Sequence, residues 1–215
     1  MICTCSYKNY NSNIYKTFDI SNNNVNYNEN YYSKLTSKSS FLEVYHNNIG
    51  IISEEENNKY YIEQYYKEVL SKLSVEEVYK ELDSSILLCC ENNMELCNRH
   101  IVAEWIQILL DINVPEVSVD GMQIKPLKRP EYIRYFLEEI MKKNTNMKGF
   151  NSLRAVYLFN QSERLEQKTD ELERKTGKSL DSYRQAACYL RCDADEAEAE
   201  YNKKVKLIKQ KKCYK

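Results

Sequence analysis

Glycine, proline, histidine and tryptophan are scarce in this 215-residue chain: Gly 4, Pro 3, His 2 and Trp 1. So few glycines leave little room for a phosphate-cradling loop, and neither a Walker A sequence nor G-x-G-x-x-G is present. H-E-x-x-H and G-x-S-x-G are absent too, so no zincin or nucleophile-elbow motif is written in the chain, and no cofactor is implied. Charge of one sign is also lacking, since Lys+Arg 31 against Asp+Glu 32 leaves a net charge of −1. That balance provides no whole-chain field for nucleic acid, and any such binding has to be local. No window approaches the roughly 18 consecutive apolar residues of a membrane-spanning helix. Met1 to Tyr7 lacks the basic and apolar regions of a signal peptide, which predicts a cytoplasmic chain with reduced thiols.

What the chain does have is Tyr 19, Cys 8 and a hydrophobic content of 42%, enough for a packed core. Two β-prone runs, Ile2 to Tyr7 and Ile14 to Ile20, predict short strands separated by Asn-rich loops at Asn22–Asn24 and Asn26–Asn30. Ser53-Glu54-Glu55-Glu56 has the form of a capping box, predicting a helix with Tyr61, Tyr65, Tyr66 and Val69 on its apolar face. Ser74-Val75-Glu76-Glu77 repeats the form for a shorter helix. The tyrosines suit core filling with hydroxyls at the rim; a base-stacking platform is the alternative, but basic neighbours are few.

Ser85 to Cys90 reads as a strand buried on both faces, Ile101 to Leu110 as an amphipathic helix, and Val114 to Val119 as another strand. Strand, helix, strand in that order predicts an α/β class: a small, mostly parallel sheet flanked by helices. Pro126 and Pro130 bound an expected loop before a helix carrying Ile133, Phe136 and Leu137. Past about residue 143 no strand signal survives. The expected organisation is an α/β domain over 1–143 and a helical extension over 150–215 that breaks near Gly177. Tyr183, Ala187, Leu190, Ala194, Ala197, Tyr201 and Ile208, interrupted at Lys204, suggest a short coiled-coil seam there, suited to self-association. Residues 143–215 carry 17 basic and 11 acidic side chains, +6, leaving −7 on 1–142. The run Lys203 to Lys215 fits a solvated helix end, with a local nucleic-acid patch as the weaker reading.

The segment with chemical content runs from Glu91 to Glu104. It places Cys97, Asn98, Arg99 and His100 at the start of a helix just past the carboxyl end of a buried strand, where ligands of open α/β sheets bind. The unpaired N–H groups of a helix N-terminus attract anions and favour a thiolate. In this reading Cys97 is a nucleophile, Arg99 an anion clamp, and His100 or Glu91 a proton carrier. The structural alternative has Asn98 capping the helix, Cys97 filling core, and Arg99 paired with Glu95 or Glu104 on the surface. Zinc assemblies from Cys3/Cys5, Cys89/Cys90, Cys97/His100 or Cys188/Cys192 lack the paired spacing of known sites, and no metal is expected. Adjacent Cys89 and Cys90 point to opposite faces of a strand.

Ile86 to Glu91 followed by Cys97, Arg99, His100 and Val102 to Trp105 resembles the signature of the bacterial and archaeal domain-of-unknown-function 488 family, I-L-L-C-x-E and then C-H-R-H-x-V-A-E-W-L. Thr4-Cys5-Ser6-Tyr7 is similar to the T-S-Y ending that family's first strand, and Leu35-Thr36-Ser37 to its L-A-P turn; coverage extends to about Val119. The resemblance implies a ligand-binding or enzymatic domain with a Cys/Arg site and Thr4, Ser6, Tyr7 and Asn98 near the ligand, but no established reaction. Asn98 departs from the family's His and cannot titrate near neutral pH. Two functions follow: action on, or binding of, a small anionic or nucleotide-like molecule, or a non-catalytic interaction protein working through its C-terminal helices.

Overall fold

The computed structural model describes residues 1–22 and 30–213, with side chains up to 208. The Asn-rich stretch at 23–29 and the side chains of the last lysines, from 209 on, lie outside the described residues. The chain forms β1 (Cys3–Ser6), β2 (Tyr10–Asn11), β3 (Lys16–Asp19), β4 (Asn30–Tyr31), α1 (Ser39–Asn47), α2 (Glu54–Glu68), α3 (Val75–Glu81), β5 (Ser85–Cys89), α4 (Asn98–Leu110), β6 (Glu116–Asp120), β7 (Gln123–Leu127), α5 (Glu131–Asn144), α6 (Leu153–Thr176) and α7 (Asp181–Cys213). It divides into two compact units, Met1–Lys143 and Asn144–Lys215.

The first unit is an α/β structure. Its strands follow the order β2-β6-β1-β5-β3-β4, all pairs parallel; β1 and β2 meet opposite ends of β6, at Glu116 and at Val119–Asp120, and β7 pairs antiparallel along the whole of β6. β5 is central: Cys3–Ser6 of β1 pair with Ile86–Cys89 on one side, and Lys16–Asp19 of β3 with Ser85–Leu88 on the other. All five of its residues are buried, as a strand covered on both faces requires. One sheet face packs Cys3, Cys5, Ile86, Leu88, Val117 and Val119, with Tyr7, Tyr10 and Tyr15 against them. By alternation the other face carries Thr4, Leu87, Cys89 and Glu116.

The capping box at Ser53 forms in full, its hydroxyl accepting from Glu56 N and the Glu56 carboxylate accepting from Ser53 N. Helix α4 departs from the amphipathic expectation: all of Asn98 to Ile106 is buried, so its first turns are enclosed on every side. Gln123–Leu127 form β7, which takes in Pro126 and Leu127 of the loop expected between Pro126 and Pro130. The turn Asp120-Gly121-Met122 lets the chain reverse, Gly121 taking φ +57. Pro126 is tolerated because β7 is an edge strand, paired among the described residues with β6 alone.

The second unit pairs α6 with α7. Gly177 ends α6 in the left-handed conformation at φ +66. Ala187, Ala194 and Ala197 of α7 and Ala155, Ser162 and Thr169 of α6 are buried. The thin alanine seam is therefore filled within the chain, while Tyr183, Tyr189, Leu207 and Ile208 face solvent. Arg184 bridges Asp170 and Glu173 across the pair. Among the described residues, no helix is long and apolar enough to cross a membrane.

Candidate functional site

The parallel strands β1, β3 and β5 all end at one edge of the sheet, and the chain leaving β5 turns there into α4. A cavity of about 380 Å³ opens at this edge, lined by Cys89, Cys90, Glu91, Cys97, Tyr61 and His46 among others. Cys97 is the residue that begins α4, in extended conformation at φ −154, ψ 148, and its side chain makes no capping bond. Asn98 does not cap the helix either. Its Oδ1 accepts from Tyr61 Oη at 2.6 Å and Ser37 Oγ at 3.0 Å, tying the Leu35-Thr36-Ser37 turn to α4.

Cys97 Sγ sits between two charged groups. It donates to Glu91 Oε2 at 2.9 Å and accepts from Arg99 Nη1 at 3.1 Å. Cys89 Sγ donates to the same Glu91 oxygen at 3.1 Å. The thiol of Cys89 is pushed well up by its contact with Cys97, by burial and by the Glu91 charge. The sulfurs of Cys89 and Cys97 and the Glu91 oxygen all lie within 4.8 Å of one another.

Arg99 is fully buried, and all five of its N–H groups are engaged. Nε and Nη2 donate to Glu116, Nη1 to the Glu91 carbonyl and Cys97 Sγ, and Nη2 also to the Asn92 carbonyl at 3.0 Å. Its ion pair is with Glu116, 3.0 Å away and likewise buried, rather than with Glu95 or Glu104 at the surface. Burial alone would pull the guanidinium down; the Cys97 sulfur and Glu116 outweigh it and hold it above its ordinary value. Its donors are thus spent on Glu116, the 91–97 loop and one sulfur, so the guanidinium is not an open anion clamp.

Glu116 binds this network together. Thr4 Oγ1 donates to it at 2.6 Å, Arg99 grips it, and His100 Nε2 lies 3.3 Å from its Oε2. Burial pushes the Glu116 carboxyl up, but His100 and Arg99 bring it below its usual range. The Glu95 carbonyl can only accept, so His100 Nδ1, 3.0 Å from it, carries the proton. Burial and the Arg99 charge hold the imidazole below its ordinary value, despite the pull of Glu116. His100 faces Glu116 and is not among the residues lining the cavity.

This arrangement has a pH signature. The folded-state value of His100 lies below 6.5, so the unfolded chain takes up its proton more readily; the stability it contributes is complete above about pH 6.5 and lost as pH falls. Glu116 contributes in the same direction at lower pH, its share being lost below about 4.5. Unfolding free energy should be level near pH 7 and fall below pH 6.5 with a slope of up to about 1.4 kcal/mol per unit for one proton. Urea unfolding of wild type and His100→Gln across this range tests it. An unchanged slope in the variant would assign the acid sensitivity to another group.

The residues singled out from sequence separate into two layers. Cys97, Glu91 and Asn98 reach the cavity, whereas Arg99 and His100 lie beneath it. Thr4 serves Glu116, Ser6 accepts from Lys8 N in the turn after β1, and Tyr7 bonds Asp19; none of the three lines the cavity. Glu116 escaped the sequence reading, and Cys89 entered it only within the strand signature and a discarded zinc pair. An acid inside the apolar run Val114–Val119 was the available signal for Glu116, because a buried carboxylate requires a partner. Cys97 and His100 do not form the zinc pair that their spacing allows on paper, since the imidazole turns to Glu116.

Fold and site define a small, mostly parallel α/β protein whose carboxyl edge presents two thiols and a carboxylate above a buried Arg–Glu–His network. Among known proteins, the chain matches no family model, no curated protein and no solved structure.

Proposed function

We propose that the Met1–Lys143 unit binds a small anionic molecule in the cavity at the sheet's carboxyl edge and acts on it through Cys97. The observation that carries this reading is the placement of Cys97 Sγ, 2.9 Å from Glu91 Oε2 and 3.1 Å from Arg99 Nη1, beside a cavity of about 380 Å³. A thiol needs a base to take its proton and a positive group to stabilise charge on sulfur, and both are in contact with it. Glu91 takes the proton, Arg99 supports the sulfur, and the positive end of the α4 dipole, which begins beside Cys97, favours negative charge there. Size is compatible, since small-molecule pockets begin at about 300 Å³. The resemblance of residues 86–105 to the domain-of-unknown-function 488 signature supports the same site, because Glu91, Cys97 and Arg99 of that segment converge here.

Pulse alkylation with iodoacetamide at pH 7, read by mass spectrometry, tests the reading. Cys97 is expected to label ahead of the exposed Cys188 and Cys192, and Glu91→Gln to slow it by about 100-fold, the size of a general-base contribution. Inorganic phosphate or a nucleotide should protect Cys97 alone. Labelling of Cys97 no faster than the two helical cysteines would overturn the assignment.

A further inference from the structure

The nucleophile reading uses one thiol, yet the structure holds two against a single carboxylate oxygen. Cys89 closes β5 and Cys97 opens α4, so the seven residues between them form a turn that brings their sulfurs to within 4.8 Å. Both thiols donate to Glu91 Oε2, at 3.1 and 2.9 Å, and both border the cavity. Cys90, next in sequence, is half-buried and does not belong to this cluster of three ligand atoms.

We propose that Cys89 and Cys97 are a redox-active pair that reduces a small hydroperoxide entering the cavity and closes into a reversible disulfide. The proposal rests on the reading of Cys97 as the reactive thiol and assigns Cys89 as the thiol that resolves it. The Cys97 sulfur attacks one oxygen of the hydroperoxide: an S–O bond forms, the O–O bond breaks, and the alcohol or water leaves with the thiol's proton, passed on by Glu91. The Cys89 sulfur then attacks the Cys97 sulfur; the S–S bond forms, the S–O bond breaks, and hydroxide departs as water with the Cys89 proton, again through Glu91. The two thiols lose two electrons and the O–O bond gains them, so one hydroperoxide yields one alcohol or water and a further water. An external thiol restores the pair by exchange.

The division of labour follows from the surroundings. Cys97 touches the Arg99 guanidinium, which stabilises negative charge on its sulfur. Among the described residues no guanidinium donates to Cys89, which keeps its proton under burial and the neighbouring charges; that suits the second attacker rather than the first. A disulfide needs its sulfurs at about 2.05 Å, so closure draws the two side chains together across the Glu91 position. The carboxylate must swing aside, and a bridge formed against that resistance is readily reduced. Closure also consumes Cys97, so the oxidised protein has no nucleophile in the cavity.

The test uses the full-length chain carrying Cys188→Ser and Cys192→Ser, treated with chelator and then with one equivalent of hydrogen peroxide. A mass loss of about 2 Da, reversed by dithiothreitol, is expected, since a disulfide is two thiols less two hydrogens. Cleavage after glutamate should leave the peptide 82–91 joined to the peptide 96–104. Cys90→Ser should keep the bridge; Cys89→Ser should lose it and leave a sulfenic acid on Cys97 that dimedone traps. Persistence of the bridge in Cys89→Ser would overturn the pairing. Absence of the mass loss in a protein whose Cys97 is readily alkylated would overturn this proposal alone, whereas a Cys97 inert to both peroxide and iodoacetamide would overturn the reading beneath it as well.

Discussion

Glu116→Ala is expected to destabilise the folded chain by about 3–5 kcal/mol, because it strands a buried guanidinium. Arg99 has no solvent exposure, and among the described residues Glu116 is its carboxylate partner in an ion pair, at 3.0 Å. Deleting the carboxylate leaves the Nε donor and one Nη2 donor without an acceptor and takes from Thr4 Oγ1 its nearer acceptor, leaving it the Pro115 carbonyl at 3.3 Å. The companion variant Arg99→Met fills similar volume without charge. In the double variant the two losses should not add, since each single change leaves a charge that the other removes. Urea unfolding followed by the fluorescence of Trp105, which is buried on α4 and is the sole tryptophan, measures the cycle. A loss below about 1 kcal/mol in Glu116→Ala would place the pair with exposed, water-screened salt bridges and contradict its burial.

Leu87→Ala should cost about 2–5 kcal/mol, the range for emptying a buried leucine site. Leu87 is fully buried at the middle of β5, paired to Thr4 in β1 and Phe18 in β3. Strands on both sides hold the backbone in register, so the surroundings cannot relax into the cavity as they would at an edge. Ile86→Val, one methyl group smaller on the opposite face, should cost about 0.5–1.5 kcal/mol. Equal, small effects at both positions would show that β5 does not hold the centre of the sheet.

Most of the elements were legible because the signals that define them are local. The continuous apolar run at Ser85–Cys90, the capping box at Ser53 and the Gly177 break each depend on a few adjacent residues, and each has its counterpart in β5, α2 and the end of α6. β7 was missed for the same reason. Gln123-Ile124-Lys125-Pro126-Leu127 has no strong pattern of its own, and it becomes a strand because the Gly121 turn lays it along the open edge of β6.

The candidate site divides along the same line. Cys97, Arg99 and Glu91 stand out in sequence because they flank one strand-to-helix turn, and that nearness needs no knowledge of the sheet. The partners of Arg99 and His100 come from elsewhere in the chain. Insertion of β1 between β5 and β6 brings Thr4 beside Glu116, 112 residues away, and puts that carboxylate under α4, where Arg99 and His100 meet it.

The sequence by itself determined the α/β character of the first unit, the helical character of the second, and the presence of a thiol at the start of α4. Tertiary structure alone decided that Arg99 is a buried strut rather than an open clamp, and that Cys89 shares a carboxylate with Cys97. The reason is physical: periodicity records which face of an element is buried, but strand order decides what that face is buried against. A carboxylate brought in by a distant strand takes up the donors that a local reading leaves free.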